Sequence, residues 1–398
     1  MTHLLALIGA VAGLAAGPWA GSAAARPAWG GALGSLAMIQ TSRAGVPADR
    51  IAALATGINL SHWYAQAQGS GYADEHLLGY MQASDFALIK RMGFRHVRFT
   101  FEPALLWDYR EGDPAVLDPE GRQRLDRAMK SLLDHGLVVV LDMHPSDDGF
   151  KRATVDKASG GDVRFARFWE SLAAHMRRYD PDRVLLEVLN EPVVEDLDAW
   201  LEAQGLALAA MRRAAPNHTL IATSHRWSGV EDFVQMTPYD DPNIVYTFHC
   251  YEPFLFTHQG ATWGWELTRH VRNLPYPSSP EAVAPVLPTI ENAEARAVAK
   301  AYGDARWDAA RVEAHIRQAV EWGKRHRRPI YCGEFGVFRP YSPPADRAAC
   351  LRDLRVALEK HGVGWAMWDY AGGFAVATGE RGARQGDPVT LRALGLAP

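Results

Sequence analysis

Two glutamates stand at the ends of strand-like runs that lie far apart in the chain. Glu191 ends the run VLLEVLNEP, Glu334 lies in PIYCGEFGV, and each run stops against Pro or Gly. A pair of carboxyl groups can act as general acid and nucleophile on a glycosidic bond. A parallel barrel gathers the carboxyl ends of its strands at one face, so it would bring these two groups together.

Other polar and aromatic side chains occupy equivalent positions on further strand-like runs. They share the place where a buried run gives way to a loop, and they are Arg98, His144, Asn190, His249, Tyr251 and Trp368. One such residue alone more often has a structural role. A set that reaches one face of a barrel predicts a catalytic site with substrate-binding groups around the two glutamates.

Eight strand-like runs alternate with helical patterns along the chain. They start near residues 55, 96, 137, 183, 218, 243, 329 and 362, and continuous stretches such as LVVVL are typical of strands buried on both faces. One expected helix begins at Ser84 as N-cap, and another places Phe165, Phe168, Trp169 and Leu172 on one stripe. Eight repeats favour a single (β/α)₈ TIM barrel over a doubly wound sheet.

The start of the chain has a different composition. An apolar stretch from Leu4 to Ala16 precedes Ala23-Ala24-Ala25, which predicts a signal peptide over residues 1–25. Residues 26–48 are rich in Gly, Ala and Ser and predict a linker, followed by a catalytic domain over 49–398. We therefore expect a secreted or periplasmic protein. An uncleaved membrane anchor is the alternative, although the apolar stretch is shorter than the ~20 residues that span a membrane.

Charge and composition limit the partners. A net charge of -4, from 42 basic and 46 acidic side chains, provides no field for a phosphate backbone and excludes nucleic acid. A neutral polysaccharide or oligosaccharide fits better, and we expect a monomer with no stable membrane span after cleavage of the signal peptide. The 13 Trp residues offer flat faces for sugar rings as well as core packing.

Three cysteines, Cys250, Cys332 and Cys350, are too few and too irregular for a disulfide framework. They lack zinc-ligand spacing as well, so we expect buried thiols, no metal and no cofactor. Strand alternation predicts that Cys332 points inward with Glu334 and that Cys250 points the opposite way from its neighbours.

In its ordered set of strand-end residues, the sequence resembles glycoside hydrolase family 5, the cellulase-like retaining barrels. Members carry Arg, His, Asn-Glu, His-x-Tyr, Glu and Trp in this strand order. The resemblance runs from about Gly57 to the C-terminus, and the matching positions are Arg98, His144, Asn190-Glu191, His249-Cys250-Tyr251, Glu334 and Trp368. It implies that Glu191 is the acid/base and Glu334 the nucleophile of an endo-β-1,4-glucanase that works through a glycosyl-enzyme intermediate.

The residue types suit these roles. Arg98 and Tyr251 could hold Glu334 as an anion through charge and hydrogen bonding. Asn190 is suited to bind the sugar 2-hydroxyl, a contact that strengthens in the oxocarbenium-like transition state. The remaining members are expected to orient the sugar and the carboxyl groups, or to offer a stacking face: His144, His249 and Trp368.

Aromatic residues outside this set are candidates for additional substrate contacts. His62 and Trp63 follow the first strand-like run and Trp227 follows the fifth. The long segment between the sixth and seventh runs, which we expect to be a functional or mobile loop, contributes Phe254, Phe256, Trp263 and Trp265. Aromatics along a groove would fit an extended β-linked polymer, whereas core packing is the alternative for each.

Several other functions remain open from the sequence. A β-mannanase, a β-1,3-glucanase, or a hydrolase that trims the cell's own exopolysaccharide would carry the same residues. A metal-dependent hydrolase could use Asp142, His144 and His249, but the H-x-H pair normal for that class is absent after the first strand. A carbohydrate-binding barrel without activity would be expected to have lost one of the glutamates, and both are present.

Overall fold

A computed structural model describes residues 45–67, 69 and 71–397. The expected signal peptide, 1–25, and all but the last four residues of the expected linker, 26–48, lie outside the described residues. The first helix, α1 (Ala48–Ala53), is attached to the barrel through Arg50, which donates to Asp182 Oδ1 at 2.8 Å and to Thr219 Oγ1 at 3.0 Å. Across the described ranges, every helix is too short or too polar to cross a membrane.

Eight parallel strands close into a barrel in chain order, which confirms the predicted fold. β1 pairs with β8 through Gly57 and Ala366 and so completes the ring. The strands are β1 (Gly57–Asn59), β2 (His96–Phe101), β3 (Val138–Met143), β4 (Val184–Glu187), β5 (Leu220–Ala222), β6 (Ile244–His249), β7 (Ile330–Phe335) and β8 (Gly364–Met367), and a short antiparallel pair follows them, β9 (Ala377–Thr378) and β10 (Gln385–Gly386).

Helices surround the barrel. After α1 they are α2 (Asp74–Gly79), α3 (Ala83–Arg91), α4 (Pro119–Asp134), α5 (Asp148–Ala153), α6 (Gly161–Met176), α7 (Leu197–Ala214), α8 (Val230–Phe233), α9 (Phe254–Thr257), α10 (Pro280–Val283), α11 (Ala293–Asp304), α12 (Ala309–His326), α13 (Pro344–Lys360) and α14 (Pro388–Ala393). The predicted apolar stripe of α6 is buried. The predicted N-cap of α3 is wrong. Gln82 holds that position, since its backbone N–H donates to Asp85 Oδ2 at 2.9 Å.

The barrel interior has an apolar floor below a polar layer. The floor is formed by Leu54, Val140, Leu185, Ile221, Val245, Tyr331 and Ala366. Because side chains two residues apart on a strand face the same way, the next inward positions are Asp142, Glu187 and Thr247, and all three are buried. Glu187 and Asp142 find their hydrogen-bond partners in the site above, at Arg98 and His144, whereas Thr247 Oγ1 has no hydrogen-bond partner among the described residues.

The end of β7 departs from regular alternation. Its pairing with β8 shifts register between Cys332 and Phe335. Gly333 faces the interior, where a Cβ atom would lie 2.6 Å from Thr247 Oγ1, whereas Cys332 packs in the outer core. The prediction that Cys332 points inward with Glu334 is therefore wrong, because the irregularity lies between them. All three cysteines are buried free thiols, as predicted.

The segment between β6 and β7 is folded. It contains α9, α10 and α11, three helices in a stretch that the sequence leads us to expect as a functional or mobile loop. Phe256 is fully buried against Tyr276 and Tyr302, at ring-centroid distances of 5.5 and 6.5 Å. The apolar side chains of this segment therefore extend the core that surrounds the barrel.

Candidate active site

The two glutamates meet at the carboxyl ends of the strands. Glu334 lies on β7, and Glu191 follows β4 in a left-handed conformation with φ of 43°. A carboxylate oxygen of each residue and a ring nitrogen of His249 all lie within 4.8 Å of one another. His249 Nδ1 is 2.8 Å from Glu191 Oε1 and 3.7 Å from Glu334 Oε2, so this ring bridges the pair.

Both carboxylate oxygens of Glu334 accept a hydrogen bond. Arg98 Nη1 donates to Oε1 at 2.7 Å, and the Tyr251 hydroxyl donates to Oε2 at 2.8 Å. The carboxyl group is almost completely buried, and one of its two donors is a cation. These contacts fix its orientation and suit a carboxylate that attacks as an anion.

Arg98 uses all five of its N–H donors. Nε donates to Glu187 Oε2 at 3.0 Å, and Nη2 donates to Glu187 Oε1 at 2.7 Å and to Asn190 Oδ1 at 2.9 Å. Nη1 donates to Asn59 Oδ1 at 3.0 Å and to Glu334 Oε1 at 2.7 Å. A guanidinium group has five donors in a fixed plane, so its position here is fully determined.

Three acidic side chains surround this one buried cation. Burial alone would lower the pKa of Arg98, but Asp142, Glu187 and Glu334 hold it well above its ordinary value. Asp142 Oδ1 lies 3.1 Å from Arg98 Nη2. Burial raises the pKa of Asp142 to about 7, and it also raises the pKa of Glu187. The acidic side chains of the polar layer are thus held in place by the charge of Arg98 and by hydrogen bonds.

The two histidines of the site are neutral. Burial lowers the pKa of His144 to about 3 and that of His249 to about 4. His144 Nδ1 donates a hydrogen bond to Asp142 Oδ2 at 2.9 Å. The unprotonated Nε2 can then accept a hydrogen bond from Asn190 Nδ2 at 3.3 Å. The His144 ring stacks on Trp368 with centroids 5.4 Å apart. These rings orient their neighbours and carry no charge near neutral pH.

Glu191 is the more accessible of the two glutamates. Its side chain is 24% exposed against 5% for Glu334, which gives it contact with the solvent side of the site. Burial nevertheless raises its pKa, and the positive charge of Lys151 opposes that rise. A carboxyl group with a raised pKa can hold a proton for a leaving group.

The residues predicted to contact substrate outside the central set differ in their exposure to solvent. Trp227 is 52% exposed, and its backbone N–H donates to the carbonyl of Pro192, the residue after Glu191. His62 is partly exposed near Trp368, with Nε2 3.9 Å from Asp369 Oδ2.

Trp63 is a core residue and does not line the site. It is 3% exposed, its indole N–H donates to the carbonyl of Leu77, and its ring packs against Phe86 and Phe99. The prediction that it binds substrate fails because its side chain turns outward toward α3.

The aromatic residues of the segment between β6 and β7 also differ from one another. Trp263 is 51% exposed and packs edge-on against Phe338, which belongs to the same apolar cluster as Trp368. Phe254 stacks on His258, and Trp265 is partly buried against the core. Phe256 is fully buried, so among these residues Trp263 alone presents half of its surface to solvent.

From the sequence, neither Glu187 nor Lys151 is assigned to the site, and Asp142 is considered only as a ligand in a metal-dependent hydrolase. Glu187, Asp142 and Lys151 are all buried at or below the catalytic pair. The signal for the first two is a charged residue inside an otherwise apolar strand, in LLEVL and VVVLDM. Lys151 lies on α5, and among the described residues no carboxylate comes within ion-pair distance of it. Nothing in the sequence of that helix predicts its orientation.

Comparison with known proteins adds family relationships to this geometry. The sequence profile described as Cellulase (glycosyl hydrolase family 5) matches residues 57–373. Endoglucanase C of Acetivibrio thermocellus is 27% identical over 322 residues, covering 79% of this chain and 90% of that protein. Cellodextrinase A of Ruminococcus flavefaciens is 29% identical over 318 residues, covering 77% and 82%. Cel5A of Thermotoga maritima, solved with cellobiose, shares the fold with a TM-score of 0.70 and 24% identity, covering 87% of this chain and 99% of that chain.

Glu187 should be required for the position of Arg98. In Glu187→Gln one of the two acceptors becomes a donor, so a buried guanidinium N–H loses its partner. We expect kcat to fall by about 10- to 100-fold through misplacement of Glu334, with a smaller change in KM. The control is Asp85→Asn, a buried carboxylate that bonds Tyr370 and Arg384 away from the site. Equal kcat values for the two variants would contradict this role.

Lys151 should set the alkaline limit of activity. Its positive charge lowers the pKa of Glu191, so Lys151→Met should raise that pKa and keep the general acid protonated to higher pH. The alkaline limb of the kcat/KM profile should therefore move upward. Lys157→Met, at an exposed lysine paired with Glu202, is the control and should leave the limb in place. A downward movement in Lys151→Met would refute the assignment.

Proposed function

We propose that this chain, which belongs to glycosyl hydrolase family 5, is an endo-β-1,4-glucanase that retains the configuration of the bond it cleaves. Family membership makes it a glycoside hydrolase, and relatives named endoglucanase and cellodextrinase support β-glucan as its substrate. The observation that supports the mechanism is that one carboxylate oxygen of Glu191 and one of Glu334 lie within 4.8 Å of each other. Retaining enzymes keep them ~5–5.5 Å apart, and inverting enzymes ~6.5–9.5 Å.

The reaction follows from the two environments. Glu334, held by Arg98 and Tyr251, attacks the anomeric carbon while Glu191 gives its proton to the leaving oxygen. The glycosidic bond breaks and a glycosyl ester forms on Glu334. Glu191, now a carboxylate, takes a proton from water, whose oxygen attacks the anomeric carbon and releases Glu334. The Asn190 amide N–H is positioned beside the pair to hold the sugar 2-hydroxyl.

Two exposed indoles support a polymeric substrate and attack within the chain. Trp227 adjoins the loop that carries Glu191, and Trp263 packs on Phe338 beside Trp368. They therefore flank the catalytic pair from the β4–β5 side and the β7–β8 side. Flat aromatic faces at both sides provide stacking positions for sugars beyond the one that is cleaved.

We also propose that the enzyme acts outside the cytoplasm. The support is the apolar stretch from Leu4 to Ala16 followed by Ala23-Ala24-Ala25, which is the pattern of a signal peptide. β-Glucan polymers too large to enter a cell are degraded there.

A substrate panel tests this function. We expect the enzyme to hydrolyse carboxymethylcellulose and mixed-linkage β-glucan in preference to laminarin and mannan, with viscosity falling faster than reducing ends appear. The same assays on cell fractions should place the activity outside the cytoplasm. Preference for mannan or laminarin would replace the proposal by β-mannanase or β-1,3-glucanase, and equal rates of viscosity loss and end formation would replace endo by exo action.

The two glutamates should respond differently to removal. Glu334→Ala lacks the attacking carboxylate and should lose turnover on every glycoside. Glu191→Ala should still form the glycosyl-enzyme from an aryl glycoside whose leaving group needs no proton, and that intermediate should accumulate. Azide needs no general base, so it should release the intermediate as a β-glycosyl azide, identified by NMR. A β-azide from Glu334→Ala, with no azide effect on Glu191→Ala, would reverse the two roles.

A further inference from the structure

A second cluster of ligating side chains lies beside the catalytic pair, in the outer core. Cys250 and Glu252 follow β6, and His315 lies on α12. A sulfur, a carboxylate oxygen and a ring nitrogen from these residues all lie within 4.8 Å of one another. Cys250 is 1% exposed and His315 is 7% exposed, so the cluster is shielded from water except at Glu252.

Two atoms of this cluster have unused hydrogen-bonding capacity. His315 Nε2 and Glu252 Oε2 are 3.2 Å apart, yet their geometry is not that of a hydrogen bond, and neither atom has another partner among the residues described. A tetrahedral zinc ion with metal–nitrogen and metal–oxygen distances of ~2.1 Å separates such ligands by about 3.4 Å. The observed separation therefore matches one edge of a tetrahedral site.

The other nitrogen of His315 faces a third acidic residue. Glu231 Oε1, on α8, lies 3.4 Å from His315 Nδ1. A histidine that binds metal through one ring nitrogen commonly gives the N–H of the other to a carboxylate, which fixes the ring and strengthens the ligand. Glu231 occupies that position, and its side chain is 60% exposed, so it can be changed without opening the core.

We propose that Cys250, Glu252 and His315 form a binding site for a thiophilic divalent cation, with Zn²⁺ as the best match. Thiolate, imidazole and carboxylate are the ligands that zinc uses, and three of them leave one position for water or a second carboxylate oxygen. Binding releases the thiol proton, and the thiolate and carboxylate together balance the charge of the ion. The competing arrangement is a protonated His315 held between Glu231 and Glu252, which needs no metal.

The position of this cluster links it to the reaction. Tyr251 lies between Cys250 and Glu252 in the chain, and its hydroxyl donates to Glu334. The backbone N–H of Cys250 donates to the carbonyl of Glu334 at 2.9 Å. A cation that binds the residues on both sides of Tyr251 would therefore sit one residue away from a hydrogen-bond donor of the nucleophile.

Cobalt provides a direct test, because a Co²⁺–thiolate bond gives a sulfur-to-metal charge-transfer absorption in the near ultraviolet. We expect this absorption when the full chain is titrated with CoCl₂, and its loss in Cys250→Ala. Cys350→Ala changes another buried thiol and should keep it. Glu191, His249 and Glu334 could also hold an ion, but they contain no sulfur and would give no such band. No band in the unaltered chain, or a band that survives in Cys250→Ala, overturns the proposal.

Zinc affinity supplies a second measurement that does not depend on changing the core. In competition with a chromophoric chelator, Glu231→Gln should bind Zn²⁺ about 10- to 100-fold more weakly than the unaltered chain. Glu321→Gln, on the same helix as His315 and exposed, is the matched control and should bind as the unaltered chain does. Failure of the unaltered chain to take Zn²⁺ from the chelator would assign the cluster to an imidazolium–carboxylate contact only, and equal affinities in all three proteins would contradict the role of Glu231. Neither measurement uses glucan hydrolysis, so this outcome is independent of the proposed function.

Discussion

The bonding of Arg98 is the constraint on which the site depends. A single buried guanidinium group joins β1, β2, β4 and β7 by donating to Asn59, Glu187, Asn190 and Glu334. Because every N–H is used, Glu334 cannot move without leaving a buried charge partly unpaired, which is costly inside a protein. The position of Glu334 is thus maintained from below, by side chains that are almost completely buried.

Burial then assigns charge within the site. Desolvation keeps His144 and His249 neutral and raises the pKa values of Asp142 and Glu191, whereas Arg98 stays charged because three acids surround it. The two glutamates have similar chemistry but unlike surroundings: one faces a fixed cation and the other faces solvent and a neutral ring. That difference is what acid catalysis and nucleophilic attack require of a carboxyl pair.

The sequence predicts the barrel well because strands buried on both faces are continuous apolar runs, and the strand-end residues stand out against them. It fails where three-dimensional packing decides. Trp63 follows a strand as the site residues do, but local chain direction turns it into the core. The register shift at the end of β7 breaks the alternation from which the sequence predicts the direction of the Cys332 side chain. The contact between Glu187 and Arg98 cannot be predicted from the sequence, because no spacing rule relates positions 98 and 187.

The Asn190 side chain has a hydrogen-bond partner at both its oxygen and its nitrogen, and these two contacts fix the orientation of the amide group. Its oxygen is occupied by Arg98 and its nitrogen points to His144, so the amide cannot rotate by half a turn without losing both contacts. A group that approaches the free side of the amide nitrogen meets its second N–H, which can only donate. If Asn190 holds the sugar 2-hydroxyl as proposed, that hydroxyl accepts from this N–H and directs its own hydrogen elsewhere. The contact between Arg98 and the amide would then fix the direction in which a substrate hydroxyl points.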